Sequence, residues 1–213
     1  MNFDSDTVDR IRRVLKSARR LQRDAKLLME NGRFPTGFAL ALIGVEEIGK
    51  ILLDLWSQET WWERPLPERS GAGMSFHTRK QIAFATLVFG GEIIGEVRQY
   101  SEPLTADAFR ALYGEAIDRG NNSFLLAEAI LGFLSLTKER ALYADTEGDL
   151  GHVAQEQDVR RILDLHAAGL RLLPDWQIVG FARETYIHML TLVDTSLKSQ
   201  IRDVRKANRK DAR

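Results

Sequence analysis

Apolar positions recur every three to four residues through residues 5–31: Val8, Ile11, Val14/Leu15, Ala18, Leu21/Leu22, Ala25 and Leu28/Leu29. That is the period of an amphipathic helix. Asp4 or Ser5 can cap its start, and Asn31-Gly32 supplies a left-handed stop. A second helix is expected from about Thr36, after Pro35, to about Ser57. The short turn between them implies an antiparallel hairpin. Residues 58–75 break the pattern with Pro65, Pro67, Gly71 and Gly73 around the Trp61-Trp62 pair, and read as a long loop. Ser75 can cap a third helix, roughly 76–99, and Thr105 a shorter one to about Arg119. Asn121/Asn122 precede a very apolar helix ending near Arg140. A second loop over 141–153 leads to helices at about 154–172 and 175–208, divided by Pro174 with Asp175 as a cap. No alternating strand and no internal repeat is evident. The pattern predicts an all-α bundle of about six helices, a single domain over 1–213.

Composition narrows the class. At 213 residues and 44% apolar, with 30 basic against 30 acidic residues, the chain can bury a sizeable core and does not read as disordered. It contains no Cys, so disulfides, thiolate metal sites and a Cys nucleophile are excluded. The longest uncharged run in an apolar stretch, Phe34 to Val45, is too short for a bilayer. The N-terminus lacks the apolar segment of a secretory signal. The expectation is a cytoplasmic protein with no membrane contact. Zero net charge conceals basic ends: residues 198–213 carry seven Lys/Arg and two Asp. The first helix carries Arg10, Arg12, Arg13, Lys16, Arg19, Arg20, Arg23 and Lys26. Arg outnumbers Lys 22 to 8, which suits bidentate contact with phosphate or carboxylate.

Several chemistries of helical enzymes are missing from the sequence. None of the four His (77, 152, 166, 188) follows a Glu by three residues, as di-iron bundles require. There is no His-Glu-x-x-His, no adjacent His-Asp pair, no Glu-x-x-Glu, no phosphate loop and no dinucleotide fingerprint. No cofactor or metal is expected.

Three constellations remain. In Glu46-Glu47-Ile48-Gly49-Lys50, the charged residues Glu46, Glu47 and Lys50, with Asp54, share an arc of roughly 100°. Glu46 and Lys50 form an i,i+4 pair, worth only about 0.2–0.5 kcal/mol if exposed. A solvated stripe is one reading. The same arc is apolar one and two turns earlier, at Ile43, Leu40 and Ala39, which favours charges that are half-buried and paired. The second is Ser75-Phe76-His77-Thr78-Arg79-Lys80 at a helix start, where backbone N–H groups attract anions and His77 and Lys80 share a face. It can be a phosphate site with a general base, or His77 can simply pack under the Trp61-Trp62 loop. The third is an Arg-x4–6-His element: Arg183 with His188, or Arg160 and Arg161 before His166. About 1.2 such matches are expected by chance against three present, which is weak evidence for a motif, and His166 also reads as a bundle-facing residue beside Leu163, Leu165 and Leu170.

The stretch Asp24 to Leu53 (DAKLLMENGRFPTGFALALIGVEEIGKILL), then Phe76 to Lys80 (FHTRK), then Leu136 to Asp145 (LTKERALYAD), resembles the AbiV family of abortive-infection proteins. That family is grouped with the HEPN superfamily of helical, often dimeric, RNA-cutting toxins. The resemblance covers about residues 15–150, within an expected AbiV/HEPN-like core of about 5–150 that is followed by C-terminal helices over 154–208 and the basic tail. It implies an HEPN-like bundle and a role in phage defence, by shutting down host translation or RNA metabolism. Carried over by position, Glu46, Glu47, Lys50, His77 and Lys80 form the polar centre, with Lys138, Tyr143 and Asp145 beside it. Arg183 and His188 are the counterpart of the superfamily's late Arg-x4–6-His pair, with Glu-Thr-Tyr-Ile between them in place of the Asn, Asp or His often found just after the arginine.

On this reading the protein is a metal-independent endoribonuclease. An imidazole, His77 or His188, takes the ribose 2′-hydroxyl proton and Lys50, Lys80 or Arg183 stabilises the phosphate. Glu46 or Glu47 orients them. Lys138, Arg140, Tyr143, Arg202, Arg205, Lys206 and Arg209 are the candidate RNA contacts. The expected partners are RNA, a second copy of the chain as a homodimer, and a phage-encoded trigger or neutralising protein. The alternatives are a non-catalytic helical adaptor or toxin–antitoxin partner whose Glu46/Glu47/Lys50 network only fixes packing, and a nucleotide-sensing bundle using the Ser75 helix start.

Overall fold

The computed structural model describes residues 5–58, 62, 66, 74–100, 105–118, 121–143, 154–193 and 203. Among them are eight helices and no strand: α1 (Ser5–Glu30), α2 (Phe34–Trp56), α3 (Phe76–Val97), α4 (Ala106–Asp118), α5 (Asn121–Leu131), α6 (Phe133–Tyr143), α7 (Glu156–Leu172) and α8 (Trp176–Leu192). The all-α expectation holds. The helix count roughly matches, with one more helix than the expected segments because the apolar stretch after Asn121 is two helices. Gly132 sits at φ 82°, a left-handed conformation that closes α5 and lets α6 start in a new direction. Gly32 does the same after α1, at φ 71°, where the Asn31-Gly32 stop is expected.

The helix starts follow their side chains. Ser75 Oγ accepts from the Thr78 N–H at 3.1 Å and caps α3. Asp175 accepts from the N–H groups of Gln177 and Ile178 and caps α8. Thr105 Oγ1 accepts from the Ala108 N–H. α2 begins two residues earlier than expected, at Phe34, because Pro35 fits the first turn of a helix, where no N–H is needed. The expected extension of the last helix towards residue 208 lies outside the described residues, as do most of the 58–75 loop and residues 144–153.

The hydropathy of each helix sets its depth. α1 buries only one stripe, including Val14, Ala18 and Ala25, against α2 and α7. α2 is apolar nearly all round and occupies the centre, touching α1, α3, α6 and α7. α3 is its equal partner, packed on α2, α5, α7 and α8. Ile48, Leu52, Ile82, Phe84 and Leu87, each at most 1% exposed, belong to the hydrophobic core built around these two helices. Burial of each such side chain contributes about 1.5–3 kcal/mol. α8 closes the far side of α3: the Trp56 indole stacks obliquely on Tyr186 and donates to the Val179 carbonyl.

Candidate functional site

A charge in the middle of a central helix must find partners across the bundle, and the backbone brings them there. α2 and α3 touch at Gly49. A Cβ at that position would lie 2.0 Å from the Lys80 carbonyl oxygen, so only glycine permits the crossing. With no side chain between them, the first turns of α3 lie directly against Glu46, one turn back along α2.

Glu46 is 2% exposed and satisfied on both oxygens. Its Oε1 accepts from Lys138 Nζ on α6 at 2.5 Å and from Gln81 Nε2 on α3 at 2.8 Å. Its Oε2 accepts from His77 Nδ1 at 2.7 Å and lies 3.3 Å from Lys80 Nζ. Gln81, fully buried, has its own oxygen held by the Ser135 hydroxyl at 3.0 Å. Three helices therefore converge on one carboxylate. Burial is the largest single influence on that carboxyl and pushes its pKa up. The hydrogen bonds from Lys138 and His77 and the charges of Lys138 and Lys80 together outweigh it, so Glu46 titrates below the ordinary carboxylate range.

An ionised Glu46 can only accept, so His77 presents Nδ1–H to it, and in the neutral ring Nε2 is then the nitrogen that can accept. The His77 side chain is 58% exposed, at the mouth of a cleft of about 620 Å³. Lys80, Lys138, Ser135 and Thr78 line the cleft together with Glu47, Glu139 and Leu142. The exposed Phe76 ring sits 5.2 Å from Lys80 Nζ, in cation–π range. At Glu46 one buried carboxylate faces two lysines beneath an exposed imidazole, while Glu47 and Glu139 also line the cleft, so the local positive charge is that of Lys80 and Lys138 and not of the lining as a whole. Such an arrangement can accept a proton at His77 Nε2 and stabilise an anion beside it. Among the described residues, no group of three or more His, Asp or Glu is placed to hold a metal ion.

The family model for AbiV, of the HEPN type, matches residues 8–170. The chain belongs to the AbiV family. No curated protein and no solved structure matches it. The AbiV match spans α1 to nearly the end of α7 and contains every residue of the Glu46 cluster; α8 lies beyond it. No helix among the described residues is long and apolar enough to cross a membrane.

Within this AbiV chain the expected site residues separate. Glu46, His77, Lys80 and Lys138 meet, and Glu47 lines the same cleft. Lys50 does not join them. The i,i+4 pair expected between Glu46 and Lys50 is replaced by cross-helix pairs, because the carboxylate is buried while Lys50 is half-exposed and reaches water. Asp54 turns to α1 and pairs with Arg10 at 3.6 Å. Trp62 stacks on Trp176, its ring 4.6 Å from the Arg183 guanidinium, and not on His77; Trp61 and most of the loop lie outside the described residues.

Arg183 and His188 do not meet within the chain. Arg183 is 1% exposed and paired with Glu184, whereas His188 is exposed on another face of α8. Five residues along a helix turn the second side chain by about 140°, and nothing bends α8 to compensate. His166 is fully buried against Gly44, as the bundle-facing reading expects, and burial lowers its pKa to about 4. Arg140 is half-buried in the last turn of α6 and is not among the residues lining the cleft. Tyr143 ends α6, its side chain outside the described residues; Asp145, Arg202, Arg205, Lys206 and Arg209 also lie outside them. Sequence reasoning missed Gln81 and Ser135. The available signal was a lone amide in the apolar run that follows Lys80.

Proposed function

We propose that this AbiV protein acts in abortive infection as a cytoplasmic, metal-independent endoribonuclease, with its active site in the Glu46 cleft. The observation that carries this reading is a buried carboxylate that fixes one nitrogen of an accessible imidazole while two lysines stand beside it. His77 Nε2 takes the proton of a ribose 2′-hydroxyl, and that oxygen attacks the neighbouring phosphorus. Lys80 and Lys138 stabilise the charge that develops on the phosphate oxygens. The protonated His77 then returns its proton to the departing 5′-oxygen, leaving a 2′,3′-cyclic phosphate and a 5′-hydroxyl. Glu46 holds the imidazole in the required tautomer and stabilises it when protonated. Lys138 is thus a member of the catalytic cluster, and the tail residues Arg202, Arg205, Lys206 and Arg209 are RNA-backbone contacts. A homodimer and a phage-encoded trigger or neutralising partner complete the proposal on the strength of the family.

The test is purified protein with total cellular RNA in the presence of a chelator, with wild type and His77→Ala compared. Expected are discrete fragments with cyclic-phosphate ends from wild type, none from the variant, and melting temperatures within a degree or two of each other, because His77 is mostly exposed. Intact RNA with the wild-type protein overturns the reading. The depth of Glu46 favours a second reading, in which the cluster only fixes packing of an adaptor. In that case His77→Ala changes neither RNA nor growth arrest on induced expression.

A further inference from the structure

We propose that the outer face of α1 is a docking surface for the phosphate backbone of nucleic acid, separate from the Glu46 cleft. Between Asp9 and Asp24 the helix carries seven Lys or Arg and not one Asp or Glu. Arg12, Arg13, Lys16, Arg19, Arg20 and Arg23 fall within an arc of about 120°, and all six are exposed. From Arg12 to Arg23 the stripe runs about 16 Å along the helix.

Among the described residues, most of these charges have no acid to answer them. Arg12 pairs with Asp9 at one end. Arg13, Lys16, Arg19, Arg20 and Arg23 make no ion pair with any described residue. Pairs such as 12–16, 16–19, 16–20 and 19–23 are like charges three or four apart, each unfavourable to the helix. A face that needed only to be wet would intersperse glutamates, as Lys26 with Glu30 does further along the same helix. A continuous polyanion removes the repulsion and releases the counterions that accompany it.

The chemistry of the face selects the occupant. Five of the six are Arg, whose forked guanidinium donors match phosphate oxygens. An anionic membrane fits poorly. A surface-bound amphipathic helix inserts its apolar side, and the apolar side of α1 is already consumed by α2 and α7. The cleft is built on α2, α3 and α6, so the stripe is not part of it. The proposal therefore does not depend on the cleavage chemistry.

The test is fluorescence anisotropy of a labelled RNA hairpin, and of a DNA hairpin of the same sequence, with the full chain between about 50 and 200 mM salt. The variant carries Arg12→Gln, Lys16→Gln, Arg19→Gln and Arg23→Gln, exposed changes that keep helix propensity, with circular dichroism confirming the fold. Expected are steep salt dependence for wild type and, for the variant, at least a tenfold loss of affinity at low salt with a log–log slope shallower by about 3. Binding of either hairpin that behaves in this way supports the proposal, and the two arms show whether ribose is required. Three results overturn it: neither hairpin binds wild type, the fourfold variant keeps wild-type affinity and slope, or wild type sediments with phosphatidylserine vesicles and leaves both hairpins free.

Discussion

Replacing Gly49 with alanine tests whether the α2–α3 crossing builds the site. The added Cβ would lie 2.0 Å from the Lys80 carbonyl oxygen and 2.7 Å from its carbon, where an ordinary carbon–oxygen contact needs about 3.3 Å. Both atoms are backbone, so no rotamer change relieves the clash and the helices must part by about an ångström. The Glu46–His77 contact of 2.7 Å and the Glu46–Lys80 contact of 3.3 Å then stretch beyond useful length. Overpacking of this kind costs about 1–3 kcal/mol, and weakened pairing of a buried charge adds to it. A loss of about 3 kcal/mol or more lowers the melting temperature by roughly 6–12 °C in a chain of this size. Gly95→Ala is the control: it lies in the same α3 with nothing within 4 Å of the added methyl, and should stabilise by about 0.5–1 kcal/mol. Thermal unfolding by circular dichroism, followed by RNA cleavage on the same samples, reads both effects. A Gly49→Ala protein that melts with wild type and keeps its activity refutes the argument, as does a Gly95→Ala protein that falls equally far.

Three further predictions follow from buried charge. Glu46→Gln leaves two lysines, each under 10% exposed, without a counter-ion and should cost about 3–5 kcal/mol in urea unfolding; an unchanged midpoint would mean the pairs contribute nothing. His166 titrates at about 4 in the folded chain against an ordinary 6.5, because burial disfavours its charged form. The unfolded chain therefore binds the extra proton. Stability is full above pH 6.5 and declines by about 3 kcal/mol as pH falls to 4, and His166→Leu should flatten that slope. Arg183→Ala should destabilise by about 1–2 kcal/mol through loss of its contact with Trp62, while His188→Ala should be silent in both stability and cleavage; loss of cleavage in the latter alone would move the active site to α8.

What was legible in the sequence was what local physics decides. The period of α1, the proline and glycine at the α1–α2 turn, and the caps Ser75 and Asp175 all depend on neighbours a few residues away, and all stand as read. Gly132 was hidden because a single glycine in an apolar helical stretch is usually tolerated, and only its positive φ distinguishes a break. Lys50 was a false partner for the same local reason: i,i+4 spacing says which side chains can meet on an isolated helix, not which way a buried carboxylate turns when another helix supplies an ammonium. Lys138, 92 residues away from Glu46, was reachable only through the family resemblance, since no periodicity relates α2 to α6. Gln81 and Ser135 escaped because neither carries charge.

The energetics of the cluster bear on why it is there at all. An ion pair taken wholly out of water is often no better for stability than well-packed apolar side chains of the same volume. A bundle selected for packing alone would gain little from Glu46, Lys80, Lys138 and Gln81 where α2, α3 and α6 meet. Nor would it need Gly49, which offers no side chain to the core and lets two backbones touch. The network is also asymmetric. Its carboxylate, amide and ammonium groups are buried, whereas its imidazole stands at the surface with one ring nitrogen fixed and the other available. A purely structural network would have no use for that exposed member, since removing a mostly solvated histidine costs little. The stability measurements on Glu46→Gln and His77→Ala therefore separate the two roles: a large loss for the first and almost none for the second is the signature of a rigid mount whose purpose is to hold His77.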